Sequence, residues 1–149
     1  QANLFSETAR DPARLDYLVM PRMAALAERA WAADPGWATT ADPAKAAVLH
    51  RSAWSGFVNA LGQRVLPRLD LEGAGLAYRI APPGLVLDNG SVLANHVLPG
   101  MTLRFTSDGS DPTPSSSPVT GPIAEHGTIR VAAFDRKGRR GPIASIESR

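Results

Sequence analysis

Residues 81–95 read APPGLVLDNGSVLAN, and this stretch decides the fold. Ala81-Pro82-Pro83-Gly84 stiffens the backbone and marks a change of composition. Leu85-Val86-Leu87 and Val92-Leu93-Ala94 then flank Asp88-Asn89-Gly90, a hairpin signal. Everything downstream keeps the two-residue period. Strands are predicted at Ala77–Ile80, Leu85–Leu87, Val92–Val97, Thr102–Thr106, Thr128–Asp135 and Ile143–Ile146. Turn chemistry separates them at Pro99-Gly100, Asp108-Gly109 and Lys137-Gly138. Short strands at this spacing predict a small antiparallel sandwich of immunoglobulin-like type, with residues 112–122, rich in Pro, Ser and Thr, as a surface connection.

Upstream the period is helical. Asp11-Pro12 is an N-cap followed by Pro at the first helical position, and Asp42-Pro43 repeats it. Pro21 either starts a new helix or kinks the first, since it lacks an N–H. Met23, Leu26, Ala27, Ala30 and Trp31 form one apolar stripe. Leu49, Ala53, Phe57, Leu61 and Val65 form another, which Pro67 and the glycines at 73 and 75 are expected to end. The domain boundary is placed between residues 80 and 81.

The chain has 149 residues, 44% hydrophobic and 20% charged, values of a folded chain. A net charge of +2 is too small to imply nucleic acid. No apolar run approaches the roughly 20 residues of a membrane span. With no Cys there is neither a disulfide framework nor a thiolate metal site.

No complete catalytic constellation is present. His50, His96 and His126 lie far apart and read as surface or edge residues. No P-loop, nucleophile elbow or G-x-G-x-x-G occurs. Asp108-Gly109-Ser110-Asp111 lacks the ligand spacing of a calcium loop and reads as a turn. Arg136, Lys137, Arg139 and Arg140 surround Gly138 without interleaved aromatics, so they read as a solvated hairpin turn.

Several segments together carry a resemblance. QANLFSE (1–7), LDYLVMPRMAALAERAW (15–31), Trp37, Trp54-Ser55-Gly56-Phe57 and Gly75–Arg79 resemble the end of the family-20 β-N-acetylhexosaminidases, also called chitobiases. In that family a strand closing a (β/α)8 barrel is followed by such a helix. Val92–Asn95, Pro99-Gly100, Arg104–Thr113 and Ala132–Asp135 resemble the small sandwich attached after that barrel. The resemblance implies an α+β fragment. Residues 1–80 would hold the last barrel strand and its helices, and 81–149 the C-terminal sandwich.

The resemblance further implies that the parent enzyme removes terminal β-linked N-acetylhexosamine from glycans or chitin oligosaccharides, with retention, using the substrate's own acetamide. Glu7 would sit at the barrel mouth and accept hydrogen bonds from sugar hydroxyls. Phe5 would stand where the family has a Trp wall of the sugar site. Read from the residues alone, Glu7 is a surface acid pairing with Arg10 or Arg14, and Phe5 is core. No two acids are adjacent anywhere in the sequence. The family's Asp-Glu pair is thus missing, and the chain alone is expected to be inactive. No metal or organic cofactor is implied, and no nucleic-acid or membrane partner. Family habit implies a secreted or periplasmic setting. Without the rest of a barrel, the stripes built on Leu26 and Leu49 are expected to stand exposed and drive self-association. The alternative from a different class is a non-catalytic sugar-binding or spacer module, with Phe5 and Trp37 as the aromatics to mutate.

Overall fold

A computed structural model describes residues 3–4, 6–72 and 75–148. The chain divides into two compact units, Gln1–Arg79 and Ile80–Arg149. It is an α+β protein whose sheets are antiparallel.

The first unit is helical: α1 Pro12–Val19, α2 Arg22–Trp31, α3 Gly36–Thr39, α4 Pro43–Ala60 and α5 Leu66–Leu69. Both Asp-Pro signals act as read. The Asp11 carboxylate accepts from Arg14 N at 2.7 Å, and that of Asp42 accepts from Ala44 N and Lys45 N at 2.9 and 3.3 Å. Of the two alternatives at Pro21, a new helix is what forms: α1 ends before Met20, the Met20–Pro21 peptide is cis, and α2 begins at Arg22.

Pro67 does not end the second long helix. A π turn over Leu61–Val65 precedes it, with Leu66 N bonded back to Leu61 O, and the helix then resumes as α5. Widening the turn moves the preceding carbonyls away from the proline ring, which removes the clash that a regular helix would suffer. Leu61, Leu66, Leu69 and Tyr78 are the buried hydrophobic residues among those described in this unit. The strand expected at Ala77–Ile80 is absent. Just before it Leu76 N bonds to Leu69 O, and within it Arg79 N bonds to Met20 O, so a helix-end carbonyl takes a donor a ladder would have used. Alternate burial of Tyr78 and Ile80 imitates a strand period without a strand.

The second unit has two sheets. One is the hairpin of β1 Gly84–Asp88 and β2 Ser91–Asn95. The other, in the order β4-β3-β5-β6, joins β3 Thr102–Thr106, β4 Ser117–Pro118, β5 Gly127–Phe134 and β6 Arg140–Ser148. In the β1–β2 turn Asn89 and Gly90 have φ of 48° and 79°, the left-handed pair that matches strand twist. The expected strand to Val97 stops at Asn95. Beyond it, His96 Nδ1 accepts from Leu98 N at 3.2 Å while Nε2 donates to Ala81 O at 2.9 Å. Inside the predicted surface connection, β4 adds two residues to the edge of β3.

Val92, Ile123, Ile129 and Val131 form the centre of this unit's core. Leu85 and Ala94 from one sheet, and Leu103, Phe105 and Ile146 from the other, pack on it. The two sheets thus enclose one apolar layer. Each fully buried Ile or Val in it contributes about 1.5–3 kcal/mol.

Candidate functional site

The sequence directs attention first to the N-terminal segment. Phe5, the expected aromatic wall, lies outside the described residues, as do Gln1 and Ala2 of the expected barrel strand. Glu7 sits in a short 3-10 turn, Ser6–Thr8, and its side chain is exposed. It borders an open recess of about 400 Å³ with Thr8, Arg10, Asp11 and Arg14. Asp11 is committed to capping α1. Arg14 lies over the Tyr17 ring at 5.3 Å, and Arg79 lies over the same ring at 5.1 Å. Among the described residues no ion pair joins Glu7 to Arg10 or Arg14. A carboxylate so placed keeps its lone pairs for donors brought from outside, such as hydroxyl groups.

A second feature escaped the sequence reading. Between α2, α3 and α4 runs an open groove, also of about 400 Å³. Trp37, His50, Trp54 and Phe57 line it opposite Ala25, Glu28 and Arg29. His50, Trp54 and Phe57 share one side of α4 because they are spaced by four and three residues. The His50 ring stands edge-on to Trp37 at 5.2 Å, and Trp54 is tilted against Phe57 at 5.9 Å. The helical spacing was visible in the sequence, but the approach of Trp37 from another helix was not.

Neither α2 nor α4 has a buried residue. Trp31 is 89% exposed, Val48 57% and Trp54 50%. The stripe on α2 therefore stands open as expected, whereas in the second stripe Leu49, Phe57 and Val65 are half-buried and Leu61 is buried, and the exposed apolar surface of α4 lies at Val48 and Trp54.

The histidines do not converge. His50 belongs to the groove, His126 is exposed, and His96 is held between Ala81 and Leu98 as described. Among the described residues no group of three or more His, Asp or Glu side chains could hold a metal ion. The Asp108–Asp111 segment is a turn. The Asp108 carboxylate accepts from the Ser110 hydroxyl at 2.6 Å and from Ser110 N at 2.9 Å, and these bonds hold its pKa below the ordinary carboxylate value. In the basic turn, Asp135 accepts from Arg139 Nε at 2.6 Å, and Gly138 takes a φ of 75°. Arg139 is therefore engaged within the turn itself.

Two family models match the chain. The glycosyl hydrolase family 20 catalytic domain matches residues 1–34, and the chitobiase/beta-hexosaminidase C-terminal domain matches residues 65–142. An N,N'-diacetylchitobiase of Vibrio harveyi is 34% identical over 119 residues, covering 74% of this chain and 13% of the relative. A beta-hexosaminidase of Vibrio vulnificus is 30% identical over 129 residues, covering 73% of this chain and 14% of the relative. The chain thus spans about one-seventh of the length of these curated relatives or less. With one model covering more than half of its residues and the other its first helices, the chain belongs to the family-20 β-hexosaminidases and carries their chitobiase/beta-hexosaminidase C-terminal domain.

Proposed function

We propose that this chain is the C-terminal portion of a β-N-acetylhexosaminidase that hydrolyses terminal β-linked N-acetylglucosamine or N-acetylgalactosamine from glycans or chitin oligosaccharides. Residues 1–80 are the end of the catalytic barrel, and 81–149 are an immunoglobulin-like domain appended to it. The observation that carries this reading is the catalytic-domain match over residues 1–34, the segment that contains Glu7. The open apolar face of α2 and the exposed Val48 and Trp54 of α4 support it, because the remainder of a barrel would cover them.

In this reading Glu7 grips the outer hydroxyls of the terminal sugar. An ionised carboxylate accepts two vicinal O–H donors at once, and such charge-assisted bonds are the strong ones. Phe5 offers a π-face to the sugar's C–H groups. The bond-breaking groups are a general acid Glu and an adjacent Asp that orients the acetamide. The acetamide oxygen attacks the anomeric carbon as the acid protonates the departing oxygen. Water then opens the cyclic intermediate with retention, the family-20 exception to the two-carboxylate scheme. No adjacent acidic pair occurs in these 149 residues, so the chain by itself does not carry out this reaction.

The isolated chain should leave an aryl N-acetyl-β-glucosaminide intact at concentrations where a β-hexosaminidase clears it in minutes. Turnover by the purified chain would refute this assignment of roles. A second reading, a non-catalytic sugar-binding module, draws on the Trp37–Trp54–Phe57 groove. It requires saturable binding of chitin oligosaccharides by the chain, lost in Trp37→Ala.

A further inference from the structure

We infer that residues 109–116 form a latch, held across the outer face of the four-stranded sheet by three arginines, that opens as one unit without unfolding the sheet beneath. Register fixes the geometry. Arg104 lies opposite Ala132 and Thr106 opposite Arg130, so Arg104 and Arg130 share the parity that points away from Leu103, Phe105, Ile129 and Val131 of the core. From that face Arg104 Nη1 donates to Ser116 O at 3.1 Å, and Arg130 Nη1 to Gly109 O at 2.9 Å. Arg140, opposite Phe134 on β6, donates to Pro112 O at 3.3 Å. The Asp111 carboxylate joins two of them, Arg130 at 2.7 Å and Arg140 at 3.1 Å. Pro112, midway along the segment, is fully buried, as is Ala132 on the outward side of β5, and Phe134 beside it is 4% exposed.

The two ends are tied differently from the middle. Before the segment, Asp108 forms a backbone bridge with Thr128, and Gly127 beside it lets Ser107 O approach to where a Cβ would lie at 2.7 Å. After it, Ser117 and Pro118 pair with β3. Between these ties, the backbone bond found among the described residues is internal, Ser116 N to Thr113 O. What holds the middle to the sheet is thus the burial of Pro112, the Thr106 hydroxyl, which donates to Ser110 O at 2.6 Å, and a set of side-chain bonds from half-exposed arginines. Bonds of that kind weaken with salt, whereas backbone ladders do not. Segments so held open at a free energy below that of global unfolding. Asp108, just before the segment, and Ser110 shape the entry turn, and Asp111 fastens the segment to the arginines.

Hydrogen exchange on the 149-residue chain tests this. In 1 M NaCl against 50 mM, the Arg104, Arg130 and Arg140 guanidinium hydrogens, which bond across to the segment, should accelerate together by about tenfold, while the Ile129, Val131 and Ala133 amides keep their rates. In the double variant Arg130→Gln/Arg140→Gln the Arg104 guanidinium should accelerate likewise at low salt. Independent rates for the three guanidinium groups, no response to salt, or equal acceleration in β5 would each overturn the inference. The salt arm keeps it falsifiable should the double variant fail to fold.

Discussion

Replacing Asp135 by Ala should be the most damaging single polar change in the second unit. The Asp135 side chain is 2% exposed and holds the β5–β6 turn together. One oxygen accepts from Lys137 N and Arg139 N, each at 2.9 Å, and the other from Arg139 Nε at 2.6 Å. Alanine strands two backbone donors and one guanidinium. A hydrogen bond to a charged group contributes about 1.5–3 kcal/mol, and removing one partner of a buried pair costs about 3–5 kcal/mol. Arg139 is 36% exposed and can recover water, so the lower half of that range, about 3–4 kcal/mol, is expected. For a unit of this size 1 kcal/mol corresponds to about 4–8 °C, so Tm should fall by at least about 12 °C. Asp135→Asn keeps one acceptor for the two N–H groups and should lose less than half as much. Calorimetry on the three proteins decides it. An alanine variant within 0.5 kcal/mol of the parent, on the scale of ordinary surface changes, would refute the reasoning.

Acid should weaken the second unit partly through Asp108. Its folded pKa is lowered by the Ser110 hydroxyl and N–H, so the unfolded chain binds the proton more tightly. Its contribution is present above the unfolded carboxylate value near 4 and is lost as pH falls through the folded value. Asp108→Asn should flatten that limb of the denaturation-versus-pH curve, and an unchanged slope would contradict the assignment. Gly127 has a φ of 115°, and its Cβ position lies 2.7 Å from Ser107 O, so Gly127→Ala should cost about 1–3 kcal/mol in urea titrations. On the helical unit, light scattering should show concentration-dependent association, reduced in Trp31→Glu/Trp54→Glu with little change in Tm. A monomer at every concentration would contradict a sticky α2–α4 surface.

Local chemistry was the legible part of this chain. Asp88-Asn89-Gly90 could only be a tight hairpin, because few residues accept two successive positive φ values. Asp11 and Asp42 announced their helices, since a short acceptor before proline satisfies donors that nothing else reaches. Features that depend on distant partners were hidden. The helix passes Pro67 because a π turn forms in front of it, and residues 77–80 are coil where a strand was expected, with the Arg79 N–H taken by Met20 O. Arg104, Arg130 and Arg140 are far apart in the chain and meet on the latch only through register. For the candidate site, the resemblance supplied Glu7 and Phe5, whereas the groove of Trp37, Trp54 and Phe57 required the crossing of three helices.

In the proposed function, Glu7 grips the terminal sugar of a β-N-acetylhexosaminidase. Steady-state kinetics of the longer enzyme on an aryl N-acetyl-β-glucosaminide, with Glu7 and with Glu7→Gln, tests it most directly. Two hydroxyl bonds at about 1.5 kcal/mol each or more predict a fall in kcat/KM of about 100-fold or more, with Tm unchanged. Equal kcat/KM for the two proteins would contradict the account.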